Sequence, residues 1–376
     1  MKIEAADIFA LHLPLLQRYN HHGVTRSYTD NIIVRLRSNG LEGYGEGVPR
    51  SYVTGESVRS AFRIIRSALI ASLGGRSFRS FGEVKTHLSK LVTTPLCQNN
   101  LSAYCAFELA LLDLSCKYWD CSLESAFRTE WHQPPPYSGV VPLLPPDRFE
   151  VFLNLLKKND MKKIKLKVGV QIDFGLFERA FAVLGADVDL RVDANGSWTE
   201  KEALAHIAQM EKYGIKAVEQ PVAKENLEGL KAVSAHSNIP IVADESVCSL
   251  NDAERVLAMR ACHVFNVRIS KCGGFLGSLA IMGLARKGGL RCQIGCQVGE
   301  TGILSAAGRH LAGWFDDILY LEGSFGTWAL REDIVDEDIR FGRGGRAPPM
   351  IGNGLGVTVR QERLRKYAKI SETVTL

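Results

Sequence analysis

The chain has 376 residues, 46% of them hydrophobic and 23% charged, with a net charge of +5. That length exceeds one small core and suits a large barrel domain with a smaller companion, in a soluble globule. The basic residues are spread out, with no arginine-rich tract among aromatics, which argues against a nucleic-acid partner and leaves room for a mildly basic pocket that takes an anionic small molecule.

At the N-terminus MKIEAADIFALHLPL alternates in character and lacks the continuous apolar run of a signal peptide. NIIVRLRSNGLEGYGEG places a Ser-Asn-Gly turn after alternating apolar residues and predicts a β-hairpin. Residues 56–72 and 98–118 carry apolar residues at helical spacing, among them Ala103, Ala106, Phe107, Ala110 and Leu114. Residues 1–130 therefore read as an α+β module. PPPYSGVVPLLPP is a proline-rich junction. From 131 to 330, short apolar strands alternate with helical stretches: KIKLKV, VDLRVDAN, KAVEQPV, IVADES, VFNVRIS, RCQIGC and ILYLEGS. Lys167 to Asp193 is 26 residues, Asp193 to Glu219 is 26, Glu219 to Asp244 is 25 and Asp244 to Arg268 is 24. One strand and one helix per unit of that size predicts an α/β protein with a (β/α) barrel. A doubly wound sheet is disfavoured because the first βα turn has no phosphate-binding glycine motif. The glycine-rich, polar segment 331–376 is expected to leave the barrel and return to the first module. No stretch approaches the ~18 apolar residues of a membrane span, and nine scattered cysteines without a CxxC pair suit free thiols in a reducing cytoplasm.

Charged residues fall at the C-terminal ends of the expected strands, where barrels of this kind carry their active sites: Lys165 and Lys167, Asp193 and Asn195, Glu219, Asp244 and Glu245, then Arg268. Residues two apart on a strand share a face. Asp193, Glu219 and Asp244, on three successive strands, are a donor set for one hard cation such as Mg²⁺, with three separate rim salt bridges as the alternative. A lysine beside a second lysine and a divalent cation has its ammonium form disfavoured, so it can act as a base near neutral pH. Such a base removes a proton α to a carboxylate while the metal stabilises the enediolate.

IKLKVG, RVDANGSW, VEQPV, VADES and SKCGG, in this order and spacing, resemble the enolase superfamily, and within it the muconate-lactonising (muconate cycloisomerase-like) subgroup. The resemblance covers nearly the whole chain, including GYGEG and TGES. It implies a (β/α)7β TIM-like barrel under an N-terminal α+β capping domain, Mg²⁺ on Asp193, Glu219 and Asp244, Lys167 as the base and Lys165 as its neighbour. The family tendency is a homo-oligomer. The family places a lysine at the end of the sixth strand, and by that match Arg268 stands in its place. Lys271 lies three residues on, with opposite strand parity, and reads as a bystander. Arginine titrates about six units above neutral pH, so deprotonating it costs roughly 8 kcal/mol. Arg268 is then a permanent cation that can fork onto a carboxylate or stabilise an enediolate opposite Lys167; pairing with a rim acid such as Glu245 is the plainer alternative.

Glu300 matches an acid that the family often carries at the seventh strand, with His310 ten residues later. On the eighth strand Glu322-Gly-Ser stands where dipeptide epimerases of the subgroup carry Asp-x-Asp, which does not support that substrate class. The capping loops YNHHGVTRSYTD and GEGVPRSYVTGES hold His21, His22, Arg26 and Arg50, a basic cast that suits a second acidic group on the substrate or is surface charge. Tyr52 is placed to close over a ligand or to make an interdomain contact. The leading expectation is one-base cycloisomerisation or dehydration of a small carboxylate through Lys167. A racemase or epimerase, using Lys271 or Glu300 on the opposite face, is the alternative, and a ligand-binding barrel without turnover the third.

Overall fold

The structure, a computed structural model, describes residues 1–21, 24–127 and 130–376. Strands β1 (Ala5–His21), β2 (Val24–Ser38) and β3 (Leu41–Gly47) form an antiparallel meander. The expected hairpin turn is present: Asn39 and Gly40 have φ of 49° and 74°, the left-handed pair that suits a tight turn between twisted strands. Helix α1 (Leu101–Tyr118) lies against this sheet and is buried from Leu101 to Cys116 on every face, not on one stripe. GYGEG explains how it can lie so close. A Cβ at Gly43 would stand 2.3 Å from the Leu114 nitrogen, and one at Gly45 2.1 Å from the Ala106 oxygen. The alternate glycines thus let strand backbone meet helix backbone directly.

Eight parallel strands follow in chain order: β4 (Gly139–Val141), β5 (Lys163–Lys167), β6 (Asp189–Asp193), β7 (Val218–Glu219), β8 (Ile241–Ala243), β9 (Val264–Val267), β10 (Arg291–Ile294) and β11 (Ile318–Leu321). Each is bonded to its sequence neighbours. The sheet closes where the Ser138 amide donates to the Leu321 carbonyl at 2.7 Å. A helix covers each crossover, so the architecture is the expected (β/α)7β barrel. After the barrel, β12 (Ala368–Thr375) pairs antiparallel with β1 and completes a sheet of order β12-β1-β2-β3.

Two buried carboxylates from the capping sheet and helix join it to the barrel. Glu46 on β3 caps helix α3 (Gly302–Ala312), accepting from the Thr301 and Leu304 amides at 3.0 Å each. Glu108 on α1 caps helix α2 (Gly274–Lys287), accepting from the Phe275 and Leu276 amides. Gly274 has φ of 83°, and a Cβ there would meet the Glu108 carboxylate at 2.0 Å, so the GG of SKCGG makes room for this cap. Glu108→Ala is expected to destabilise the protein by about 1–3 kcal/mol, because two helix amides lose a buried acceptor. A lowered denaturant midpoint at constant m-value is the signature; an unchanged midpoint would remove the cap from the account. All nine cysteines are free, and among the described residues no helix is long and apolar enough to cross a membrane.

Candidate active site

The strand register sets the site. Lys167 is the Cα partner of Asp193, and Asp193 of Glu219, so base candidate and two acids stand in one row across β5, β6 and β7. Asp244 follows the last residue of β8 and Arg268 the last residue of β9. All of these except Lys167 are buried.

The two lysines of β5 are held differently. Lys165 Nζ lies 2.8 Å from Glu322 Oε2, 3.1 Å from Glu219 Oε1 and 3.5 Å from Asp193 Oδ2, with only 3% of its side chain exposed. Burial pulls its ammonium pKa down, but the Glu219, Glu322 and Asp193 carboxylates outweigh this and the net shift is upward. Lys167 Nζ donates to Asn195 Oδ1 at 2.6 Å and to Asp193 Oδ2 at 3.0 Å, and 14% of its side chain remains exposed. Lys167 is therefore the amine that a ligand can reach. Asn195 supports it from a left-handed backbone (φ 45°), uncommon for a non-glycine residue and costly unless the surroundings hold it.

Arg268 Nη2 makes a close ion pair with Asp244 Oδ2 and lies 3.8 Å from both Glu219 Oε1 and Glu245 Oε1. Both of its sequence-level roles, pairing with Glu245 and charge at the reaction centre, are thus spatially available. Lys271 is no bystander. It is fully buried, and Nζ donates to the Asp244 carboxylate at 2.9 Å, the Asp244 carbonyl at 2.6 Å and the Asn266 carbonyl at 2.9 Å. Strand parity misplaces it because β9 ends at Val267 and the chain after it turns.

Several neutral residues that the sequence reading passed over hold the acids. Glu219 accepts from Asn266 Nδ2 at 3.0 Å and Gln293 Nε2 at 2.6 Å. Gln220 Oε1 accepts from the Asp244 amide at 2.9 Å, fixing the end of β8. Burial pushes the Glu219 carboxyl up, with Lys165 pulling against it. Glu322 goes the other way: burial pushes it up, but Lys165 and the fully buried Arg191 hold it down at about 2.

Among the described residues no three of these acids converge as a ready-made metal cage. Lys165 stands between Asp193 and Glu219, and Arg268 between Glu219 and Asp244. The donor chemistry nevertheless fits a hard divalent cation: three buried carboxylates at the ends of adjacent strands, already linked through shared cationic neighbours. Asp193, Glu219 and Asp244 could hold such an ion, which would compete with Lys165 and Arg268 for the same oxygens.

Of the capping-loop residues, Arg50 lies apart from its expected role. It is 3% exposed, and its guanidinium donates to the Asp30 carbonyl at 3.0 Å, Thr29 Oγ1 at 2.6 Å and the Val298 carbonyl at 3.0 Å. These bonds fasten the capping domain to the seventh-strand loop. Arg26 lies over the Tyr52 ring, 5.7 Å from its centroid, and the Tyr52 carbonyl accepts from Lys224 at 3.1 Å, which ties that loop to the barrel. His21 ends β1, but its side chain lies outside the described residues, as does all of His22. Glu300 Oε1 accepts from the Gln297 amide at 2.7 Å, and burial pushes its carboxyl up to about 8 against that bond. His310 bridges α3 to the capping domain through Glu124 and the Leu355 carbonyl.

A closed barrel with acids and amines gathered at its strand ends, under a capping domain, defines a barrel enzyme of acid-base chemistry. Residues 151–363 match the enolase C-terminal domain-like family, and residues 17–125 the mandelate racemase / muconate lactonizing enzyme N-terminal domain family. The chain belongs to the enolase superfamily, in its muconate-lactonising subgroup. It is 31% identical to the L-Ala-D/L-Glu epimerase of Clostridium acetobutylicum over 82% of this chain and 86% of that protein. Its fold superposes on the 2-chloromuconate cycloisomerase of Rhodococcus opacus with a TM-score of 0.88, at 25% identity over 98% of this chain and 100% of that one. A dipeptide epimerase from Cytophaga hutchinsonii, complexed with Mg and the dipeptide D-Ala-L-Val, superposes with a TM-score of 0.87, at 25% identity over 100% of both chains.

Proposed function

We propose that this enzyme runs Mg²⁺-dependent one-base chemistry on a small carboxylate, with Lys167 as the base. The outcome is cycloisomerisation (lactone formation and its reverse) or loss of water across Cα–Cβ. The observation that carries this is Arg268 at the end of β9. In an eight-strand barrel β9 stands opposite β5, so the face across the substrate from Lys167 presents a guanidinium, which stays protonated near neutral pH and cannot serve as a base. Lys271 cannot substitute, because its three bonds to Asp244 and Asn266 use its donors.

Magnesium suits the three-carboxylate set, and a similar epimerase is complexed with it. Bound there, it would supply electrostatic stabilisation of the negative charge that grows on the substrate carboxylate. In ring opening, Lys167 Nζ takes the α-proton, that electron pair forms the Cα–Cβ double bond, and the Cβ–O bond breaks to release a carboxylate. Ring closure runs the same atoms backwards, with Lys167 returning the proton, so no further reactant is needed. Lys165, engaged by three carboxylates, serves as fixed charge.

Epimerisation is the second reading, favoured by the 31% identity to an L-Ala-D/L-Glu epimerase. It needs a proton carrier on the Arg268 face, and Glu300 has the chemistry for it. Incubating candidate single-enantiomer acids in D2O with Mg²⁺ separates the two. One-base chemistry gives deuterated substrate of retained configuration; deuterated, inverted substrate would establish epimerisation instead.

A further inference from the structure

We propose that Gln297 is a specificity-determining residue of this site, which together with Arg268 holds a substrate oxyanion separate from the reacting carboxylate. The inference rests on reading Arg268 as a fixed charge and adds a partner to it. Gln297 follows β10 and is 4% exposed. Its Oε1 accepts from Arg268 Nη1 at 3.4 Å, which assigns the two ends of the carboxamide. Nε2, on the other end, is buried without a hydrogen-bond partner among the described residues, and so is Arg268 Nε. A buried donor left unpaired carries a real desolvation cost. Two of them, on residues already linked through Arg268 Nη1 and Gln297 Oε1 beside the acids of the site, are accounted for by an acceptor that arrives with the ligand.

The loop that carries Gln297 is built to hold it still. The Val298 carbonyl accepts from Arg50 at 3.0 Å and Thr29 at 3.3 Å, and the Gly299 carbonyl from Asn31 at 2.8 Å. Gly299 has φ of 86°, and a Cβ there would strike the Thr29 side chain at 2.5 Å. The capping domain thus pre-organises the loop, which gives buried Arg50 a purpose: it fixes the donor rather than touching the ligand. Charge points the same way. Lys165, Lys167, Arg191, Arg268 and Lys271 are matched by Asp193, Glu219, Asp244, Glu245 and Glu322. A divalent cation added to that balance is neutralised by a ligand that brings two negative charges.

The test is calorimetric titration of the full chain with butyrate and with glutarate, in Mg²⁺, with melting curves to check folding. Wild type is expected to bind glutarate about tenfold more tightly than butyrate. Gln297→Leu should remove about tenfold of glutarate affinity, the scale of a hydrogen bond to a charged group, and move butyrate less than twofold. Gln297→Glu, which sets a like charge against the ligand, should cost at least as much. Equal weakening of both acids, or no preference in wild type, overturns the inference. α-Proton exchange that depends on Lys167 reports separately on the proposed reaction, so either idea can fail while the other is judged on its own result.

Discussion

Lys167→Met is expected to slow α-proton exchange with solvent deuterium by about 10²–10⁴-fold, the usual worth of a positioned general base. The expectation follows from how the two β5 lysines are engaged. Lys165 is locked by Glu322, Glu219 and Asp193, whereas Lys167 is held by Asn195 and Asp193 and keeps some exposure. Methionine preserves the apolar stem, so the loss should appear in the exchange rate with little change in melting temperature. Lys165→Met should behave in the opposite manner. It takes from Glu219 its nearest cation and leaves Glu322 with Arg191 alone, and breaking such a buried cluster costs about 3–5 kcal/mol. The paired measurement is the decay of the Cα–H signal in D2O together with a thermal melt for each variant. Normal exchange in a folded Lys167→Met protein, with exchange lost in a folded Lys165→Met protein, would move the base to Lys165.

The barrel was legible because its units repeat. One strand and one helix recur every 24–26 residues from Lys167 to Arg268, and each strand of that run carries a charged residue at its end, which an open loop would not need at that spacing. The acids were legible for the same reason. What escaped was everything that depends on contacts across the barrel. Asn266, Gln293 and Gln220 are ordinary amides in the sequence, and only the curvature of the sheet brings them to Glu219 and Asp244. Lys271 was misread because alternation along a strand has no meaning beyond the strand's last residue. Arg50 looked like loop charge, yet the chain turns inward after β3 and its guanidinium satisfies carbonyls of two domains. Arg191 gave no signal at all: it is a fully buried cation one layer below Asp193, held by Ser138 and Glu322. Period and parity reveal which side chains can face the axis; they do not reveal which of those will find each other.

Arg268 is the position where substitution should change the kind of reaction as well as its rate. Arg268→Met removes the charge nearest Asp244 and is expected to lower turnover by about 10²–10³-fold, as loss of a preorganised charge does elsewhere. Arg268→Lys restores the charge, so folding and metal affinity should stay near wild type. It also introduces an amine whose proton can leave: a lysine starts about 3.4 units above pH 7 and burial lowers it, whereas a guanidinium starts about six units above. The Lys variant is therefore expected to scramble configuration at Cα in a substrate that wild type deuterates with retention. Chiral chromatography combined with deuterium content by mass spectrometry reads both events in one sample. If wild type already inverts as fast as it exchanges, arginine is not what closes that face. The proton must then pass through a group beside it, and Glu300 is the carboxyl that burial holds up at about 8. In that case Glu300→Gln should abolish inversion and leave exchange through Lys167 intact, a split that one-base chemistry cannot produce.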